Sequence, residues 1–491
     1  MEQQQQAAGS SSAESGSLLD MIIDQGKMAR NDYQRDSAKD IIGAFVSQIV
    51  DGSMTIDKDL ISSINQRIAQ IDQIISGQLD EIMHSAELQK LEGAWRGLHH
   101  MVYQTETSTT LKIKVMPMTK KELFNDLDRA AEFDQSNTFK KIYEEEFGTL
   151  GGNPFSMLIG DYQFGRHPQD MSLLEKVAEV AAAAHAPFIT SPAPDLFNMD
   201  SFTQLSDPRD LSKGFESNEL IKWRSFRDSD NSRYVTMALP RTLMRLPYGP
   251  DTIPVDDFNY VENVSGQDHE KYLWGNAAYS LGTCITRSFS EYGWTAAIRG
   301  VEGGGLVEGL PVHTFPTDDG DIAAKCPTEI AIGDRREKEL SDLGFMALCY
   351  SKNSDFAAFF GGQTLQKPKK YDSPDATANA KLSSQLPFIL VASRFAHYMK
   401  SMMRDKIGSF QSRGNVESFL NKWIMNYVNN NADAGAETKA RYPLFEARVD
   451  VTDVAGSPGV YQAVAYLRPH FQLEGLSTSL RLVAKLPKQG G

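Results

Sequence analysis

Gly300-Val301-Glu302-Gly303-Gly304-Gly305 is the stretch of this sequence with the most chemical potential. Glycines let backbone N–H groups converge on a phosphate. A phosphate loop also needs a lysine for charge and a hydroxyl for magnesium, and no Gly-Lys-Ser/Thr follows here. The spacing is not a dinucleotide fingerprint either. The same glycines would serve equally to permit positive φ or close backbone approach. Asp318-Asp319-Gly320-Asp321 is acidic enough for calcium but lacks the closing glutamate of a calcium loop, so it reads as a solvated turn. His99-His100 are adjacent, and adjacent side chains on a helix diverge, unlike the two ligands of His-Glu-x-x-His. Cys284, Cys326 and Cys349 are far apart and odd in number, which gives no disulfide framework and points to a reducing compartment. No Gly-x-Ser-x-Gly elbow occurs. The expectation is therefore no catalytic, cofactor-binding or metal residue, and no enzyme. A phosphate-ligand enzyme using the 300–305 loop is the minor alternative.

Composition places the chain with soluble globular proteins. The 491 residues are 41% hydrophobic and 23% charged, with a net charge of -14. That suits a multi-domain globular chain and argues against nucleic acid as the main partner, which needs a basic footprint. No apolar run reaches the roughly 18 residues of a membrane span, so no direct membrane insertion is expected. Residues 1–16 are Gln-, Ser- and Ala-rich, without a basic start or an apolar core, and read as a disordered tail rather than a secretion signal.

The elements that would position any site follow from periodicity. Ser17-Leu18-Leu19-Asp20 resembles a capping box, and Leu18, Leu19, Ile22 and Ile23 share one helical stripe. So short a helix is marginal alone, so it either packs on its own protein or is a recognition peptide for a partner's groove. Residues 17–56 are read as this helix and a linker. Ile41–Val50 is an apolar segment of undecided type. From Asp57, Ile61, Ile64, Ile68, Ile71, Ile75, Leu79 and Ile82 recur at threes and fours, and Leu88, Leu91, Trp95 and Leu98 prolong one long helix. Isoleucine at seam positions suggests pairing with another helix.

Thr110–Met116 alternates as a strand and 117–133 returns to helix, completing a segment over 57–135. The middle, 136–380, is α/β: strand 155–159, alanine-rich helix 172–185 and strand 187–190 make a parallel crossover unit. Strand 235–239 and helix 272–292 follow. Residues 381–491 carry helices at 383–411 and 415–428, then terminal strands. Phe445–Thr452 alternates apolar and polar, Tyr461–Arg468 continues after a Gly-Ser-Pro-Gly turn, and Leu480, Leu482, Ala484 and Leu486 alternate near the end. A terminal strand is the element most easily exchanged with a neighbour, because no downstream chain must follow it. A plain terminal sheet of a monomer satisfies the same pattern.

Several blocks, in order, are similar to one family. They include Leu91-Glu92-Gly93-Ala94-Trp95-Arg96-Gly97-Leu98, Gly160-Asp161-Tyr162-Gln163-Phe164, and Ala181–Ile189 with its five alanines. Trp223-Arg224-Ser225-Phe226-Arg227, Arg245-Leu246-Pro247-Tyr248-Gly249, Trp274–Tyr279 and Ile298–Gly305 continue the series. Together they resemble the large subunit of the type VI secretion contractile sheath, the TssC or VipB family.

The resemblance implies a mixed α/β and α+β fold: a phage-tail-sheath-like core, an N-terminal helical segment, and a C-terminal β-sheet that exchanges strands between protomers. It implies a structural role in the bacterial cytoplasm, within a membrane-anchored secretion machine, and no cofactor. The partners implied are a small sheath subunit of the TssB/VipA type, copies of this chain in six-membered rings, an inner tube of the Hcp type, a baseplate and a ClpV-type AAA+ disassembly ATPase. Segment 57–135 would pair with the small subunit.

Under the same resemblance, Leu18, Leu19, Ile22 and Ile23 become chaperone-groove candidates. Tyr461, Ala463, Ala465, Leu467, Leu480, Leu482, Ala484 and Leu486 become inter-protomer strand candidates. Ile41–Val50 and Thr110–Met116 are the two candidates for the exchanged N-terminal strand, and the helices between Ser383 and Val428 for the face toward the tube. The sheath of a phage-tail-like particle, which uses one chain, is the alternative within the same class.

Overall fold

Runs of apolar residues buried on both faces build the central sheet. In a computed structural model that describes residues 23, 31–50, 60–256, 258–317, 319–409, 412–456, 460–470 and 472, six strands lie in the order β1-β2-β3-β9-β10-β6. Strands β1 (Leu158–Phe164), β2 (Phe188–Pro192), β3 (Val235–Leu239) and β9 (Phe345–Tyr350) are parallel. Strands β10 (Ala357–Phe359) and β6 (Leu306–Val307) close one side antiparallel. Alternation sends Phe188, Val235, Met237, Leu239, Phe345 and Ala347 into one core and Ile189, Ala238, Met346, Leu348 and Phe359 into another. Sheets buried on both faces read as continuous apolar strands for this reason.

The chain divides into two compact units, 1–81 with 248–263, and 82–247 with 264–491. The described part of the first contains α1 (Asp32–Val50) and most of α2 (Leu60–Met83). There the Asp80 carboxylate accepts from the Tyr260 hydroxyl at 2.9 Å. Ile41–Val50 thus belongs to a helix, which corrects its candidacy as a strand. On α2, Ile64, Ile68, Ile71, Ile75 and Ile82 are exposed along the predicted seam.

In the second unit, α3 (Ala86–Tyr103) follows a break that replaces the single long helix expected from 57 to 98. At Ser85 the backbone turns extended, φ -65° and ψ 138°, and its hydroxyl bonds the Ile82 carbonyl instead of capping α3. Glycine is needed where α3 meets α7 (Ala277–Tyr292): a Cβ on Gly97 would lie 2.4 Å from the Tyr279 ring. Helix α4 (Lys120–Arg129) starts at a full Thr119/Glu122 capping box. Helix α5 (Pro168–Ala184) begins earlier than its alanine run, because Pro168 sits at its first position behind the His167 cap.

Helix α6 (Ile221–Asp228) packs Trp223 into the first core, stacked on Phe345 at 5.8 Å. Helix α8 (Asp334–Asp342) precedes β9, and α9 (Pro374–Ser383) precedes α10 (Leu386–Asp405). Short two-stranded pieces pair β4 (Thr242–Leu243) with β5 (Trp274–Gly275) and β7 (Thr314–Pro316) with β8 (Ile322–Ala324). The C-terminal core joins α10, α11 (Arg413–Ile424) and the hairpin β11 (Leu444–Asp453) and β12 (Tyr461–Pro469) around Trp294, Phe395, Leu420 and Val449. Thr110–Met116, expected as a strand, joins no ladder among the described residues.

Candidate assembly surfaces

The glycine loop is a packing device. Gly300 and Gly304 take φ of 74° and 86°, the left-handed region that glycine tolerates best. The Gly300 N–H donates to the Phe359 carbonyl at 2.7 Å, and the Gly305 N–H to the Gly300 carbonyl at 2.8 Å. A Cβ on Gly305 would lie 2.6 Å from the Phe359 carbonyl oxygen. Two of the N–H groups a phosphate would use are therefore spent, one on tying the loop to β10 and one on closing the loop on itself.

The other chemical candidates resolve in the same direction. Asp319 and Asp321 lie in the β7–β8 turn, where the Thr317 N–H donates to the Asp321 carbonyl at 2.8 Å; Asp318 lies outside the described residues. The His99 ring stacks on Tyr103 at 4.0 Å, and burial lowers the pKa of His100. Burial pushes the Cys284 and Cys349 thiols up to about 12, which leaves them without thiolate character near neutral pH. Among the described residues, no group of three or more His, Cys, Asp or Glu could hold a metal ion.

The C-terminal hairpin has one edge closed by a helix. Asn421 on α11 spans the outer edge of β11. It accepts from the Val449 N–H at 2.9 Å and donates to the Val449 carbonyl at 2.7 Å. The Val451 N–H donates to the Glu417 carboxylate at 3.1 Å. Antiparallel pairing alternates bonded and non-bonded pairs, so Val449↔Ala465 and Val451↔Ala463 are non-bonded pairs across the hairpin. The N–H and C=O groups of Ala463 and Ala465 then point toward the far edge of β12. Among the described residues β12 pairs with β11 alone.

Tyr461, Ala465 and Leu467 rest partly buried on the C-terminal core, Ala463 is exposed, and Val464 and Tyr466 are exposed on the outer face. Leu480, Leu482, Ala484 and Leu486 lie outside the described residues, as do Leu18, Leu19 and Ile22. Ile23 is helical and 1% exposed.

Sequence reasoning missed the Asn421 and Glu417 clamp, because a polar residue on a helix carries no signal for a strand edge far along the chain. Apart from its place in a family block, Trp95 was read as a continuation of a seam. In the structure Trp95 is 64% and Tyr103 78% exposed beside a groove lined by Glu92, Arg96 and Met244. Glu92 there accepts from Arg96 at 2.7 Å and Arg245 at 2.8 Å.

The fold is thus a sheet covered on both faces with a terminal hairpin clamped by α11. Residues 65–366 match the EvpB/VipB tail sheath N-terminal domain, and residues 375–486 the tail sheath gpW/gp25-like domain of the same family. The chain belongs to this VipB tail-sheath family, that of the TssC sheath proteins of type VI secretion. It is 48% identical over 484 residues to the type VI secretion system sheath protein TssC1 of Pseudomonas aeruginosa, covering 98% of this chain and 97% of that one.

Among solved structures it is similar to a chain of the anti-feeding prophage baseplate (TM-score 0.35, 8% identity, 64% of this chain and 66% of that one). It is also similar to a chain of the contracted PVC sheath complex, an extracellular contractile injection system (TM-score 0.34, 7% identity, 63% and 68%). Likenesses of that size carry no further argument. Among the described residues no helix is long and apolar enough to cross a membrane.

Proposed function

We propose that this chain is the large subunit of a contractile sheath that assembles with a small sheath subunit into a helical tubule around an inner tube. The full-length match to a type VI sheath protein carries this reading. The alternating pattern of the terminal strands supports strand exchange between protomers, since main-chain bonds join subunits with little dependence on side chains. A sheath that fires must relax from one rigid packing to another. Even about 1 kcal/mol per subunit, within the range of a single allosteric coupling, becomes large when many subunits move together.

The chain works without catalysis or cofactor, and the engaged N–H groups of the glycine loop support that. Its partners are a TssB-type small subunit, further copies of itself, an Hcp-type tube, a baseplate and a ClpV-type ATPase gripping the helix that contains Ile23. It acts in the bacterial cytoplasm, in a membrane-anchored machine.

The test is co-production with the small subunit and negative-stain microscopy. Tubules are expected, and deleting residues 461–491 should abolish them. Unchanged tubules after that deletion would show that the terminal strands do not join protomers. Tubules formed by this chain alone would instead favour a single-chain, phage-tail-like sheath. A thermal shift with millimolar nucleotide would revive the phosphate reading.

A further inference from the structure

One helix is wound against the preference of its own sequence. After a first turn at Asn137–Phe139, the chain continues as a π-helix, Lys140–Gly148. Such helices bond each N–H five residues back; they are rare, mostly single turns, and frequent at functional sites. Nothing in Lys140-Lys141-Ile142-Tyr143-Glu144-Glu145-Glu146-Phe147 forbids an α-helix. It holds no proline or glycine, and lysine and glutamate are good α-helix formers. Contacts from outside the segment must therefore hold the wider turn. Helix α10 supplies them from one face, with His397, Lys400 and Arg404 three and four residues apart. The His397 ring meets the Phe147 ring edge-on at 4.9 Å. Lys400 Nζ lies 3.6 Å from the centre of the Phe147 ring and 4.6 Å from that of Tyr143, and donates to the Tyr143 hydroxyl at 3.0 Å. Arg404 donates to the Phe147 carbonyl at 2.6 Å and to the Thr149 carbonyl at 2.8 Å. These carbonyls stand at the helix end that is left unpaired and partly negative. Among the described residues, neither cation pairs with a carboxylate. Both are directed at the rings and carbonyls of this one segment.

We infer that Lys400 and Arg404 form a releasable clasp: docked, α10 holds 140–148 in the π register; released, the segment leaves that register for the α-helix its sequence prefers. The clasp joins the two sheath domains of the family, since 140–148 lies in the stretch matched over 65–366 and α10 in that matched over 375–486. Each side of the exchange is compensated. Docked, the cations meet rings and carbonyls; released, they regain water and the segment regains its preferred winding. That near balance is what a two-state element between rigid bodies requires. The turn that follows gives room for a change of register, because Gly151 and Gly152 leave its backbone free to readjust. Leu150 in that turn is 75% exposed, so no packing holds it in place. The inference rests on the proposed function, in which a firing sheath passes from one rigid packing to another.

Amide hydrogen exchange of the full chain, wild type against Lys400→Met with Arg404→Met, tests the clasp; methionine keeps the apolar stems. An undocked helix this short is marginal in water. Amides of 143–149 should therefore exchange at least about tenfold faster, while amides of β3 keep their protection. In the bacterium that makes the protein, sheaths labelled on the small subunit should stay extended for a time at least about fivefold shorter before contracting. Unchanged exchange at 143–149 overturns the clasp. Faster exchange with an unchanged extended lifetime makes the contact packing alone, which overturns it too and spares the sheath reading. Where β3 also loses protection, the same two readouts pass to Tyr143→Phe, which removes only the hydroxyl that Lys400 bonds. Both must again move in the stated direction, and failure of either overturns the inference. A wild-type chain that forms no sheath removes the sheath reading and this inference together.

Discussion

His397 shows how a single buried side chain couples this protein to pH. On α10 its Nε2 donates to the Ala184 carbonyl at 2.8 Å, which satisfies the end of α5. Its Nδ1 is buried with no hydrogen-bond partner among the described residues. Arg394, Lys400 and His185 face it, all unfavourable to a further positive charge, and burial first of all brings its pKa down to about 4 from 6.5. In the unfolded chain the ring takes a proton below pH 6.5, whereas in the folded chain it stays neutral until about pH 4. The unfolded state thus binds more protons in that window, and stability falls as the pH falls through it. Below about pH 4 both states are protonated and the loss is complete. The largest loss for this group is about 3 kcal/mol, because each pH unit between the two values contributes about 1.4 kcal/mol. Urea unfolding of wild type and His397→Gln at about pH 7 and about pH 4.5 measures it. The variant should lose less stability on acidification, with a residual slope of the same sign from His185, whose pKa burial also lowers. An unchanged slope would remove His397 from this role.

Among elements, the junction of α11 with β11 carries the strongest prediction. Asn421 mimics a neighbouring strand by bonding both main-chain groups of Val449. Asn421→Ala would leave a buried N–H and a buried carbonyl unpaired, at a cost of about 2–3 kcal/mol. The Val449 amide should then exchange faster while amides of β3 keep their protection. Unchanged exchange at Val449 would mean that the apolar face alone holds the hairpin.

This junction also marks where sequence stops being informative. Strands β2, β3, β11 and β12 and helices α5, α7, α10 and α11 were legible, because burial on one or both faces imposes a period or an unbroken apolar run. The break at Ser85 was not, since neither proline nor glycine announces it and the threes-and-fours pattern continues across it. Strands of two or three residues, such as β4 to β8, are too short for any period. Thr110–Met116 is the instructive miss: alternation reports that a segment can be a strand, not that its own chain supplies the neighbour. Of the assembly residues, the inward facing of Tyr461, Ala465 and Leu467 was legible, while the closed edge at Asn421 depended on a contact 28 residues away.

At the scale of the whole molecule, the burial of Ile23 sets a condition on recycling. A disassembly ATPase that grips the N-terminal helix needs its apolar stripe free, yet Ile23 is 1% exposed within its own chain. Burying such a side chain contributes about 1.5–3 kcal/mol, so this residue alone would lower the undocked population by about 10- to 100-fold. Two roles for Ile23 then oppose each other in one substitution. If it only latches the helix, Ile23→Asp frees the segment and disassembly by the ATPase accelerates. If it is also a contact for the ATPase groove, the freed segment lacks its anchor and disassembly slows. The sheath reading expects the second outcome: Leu19→Asp with Ile23→Asp should leave tubule formation intact and stop ATP-dependent loss of tubules, followed by light scattering. Acceleration would make Ile23 a latch alone, and failure to form tubules would make the helix part of the subunit core.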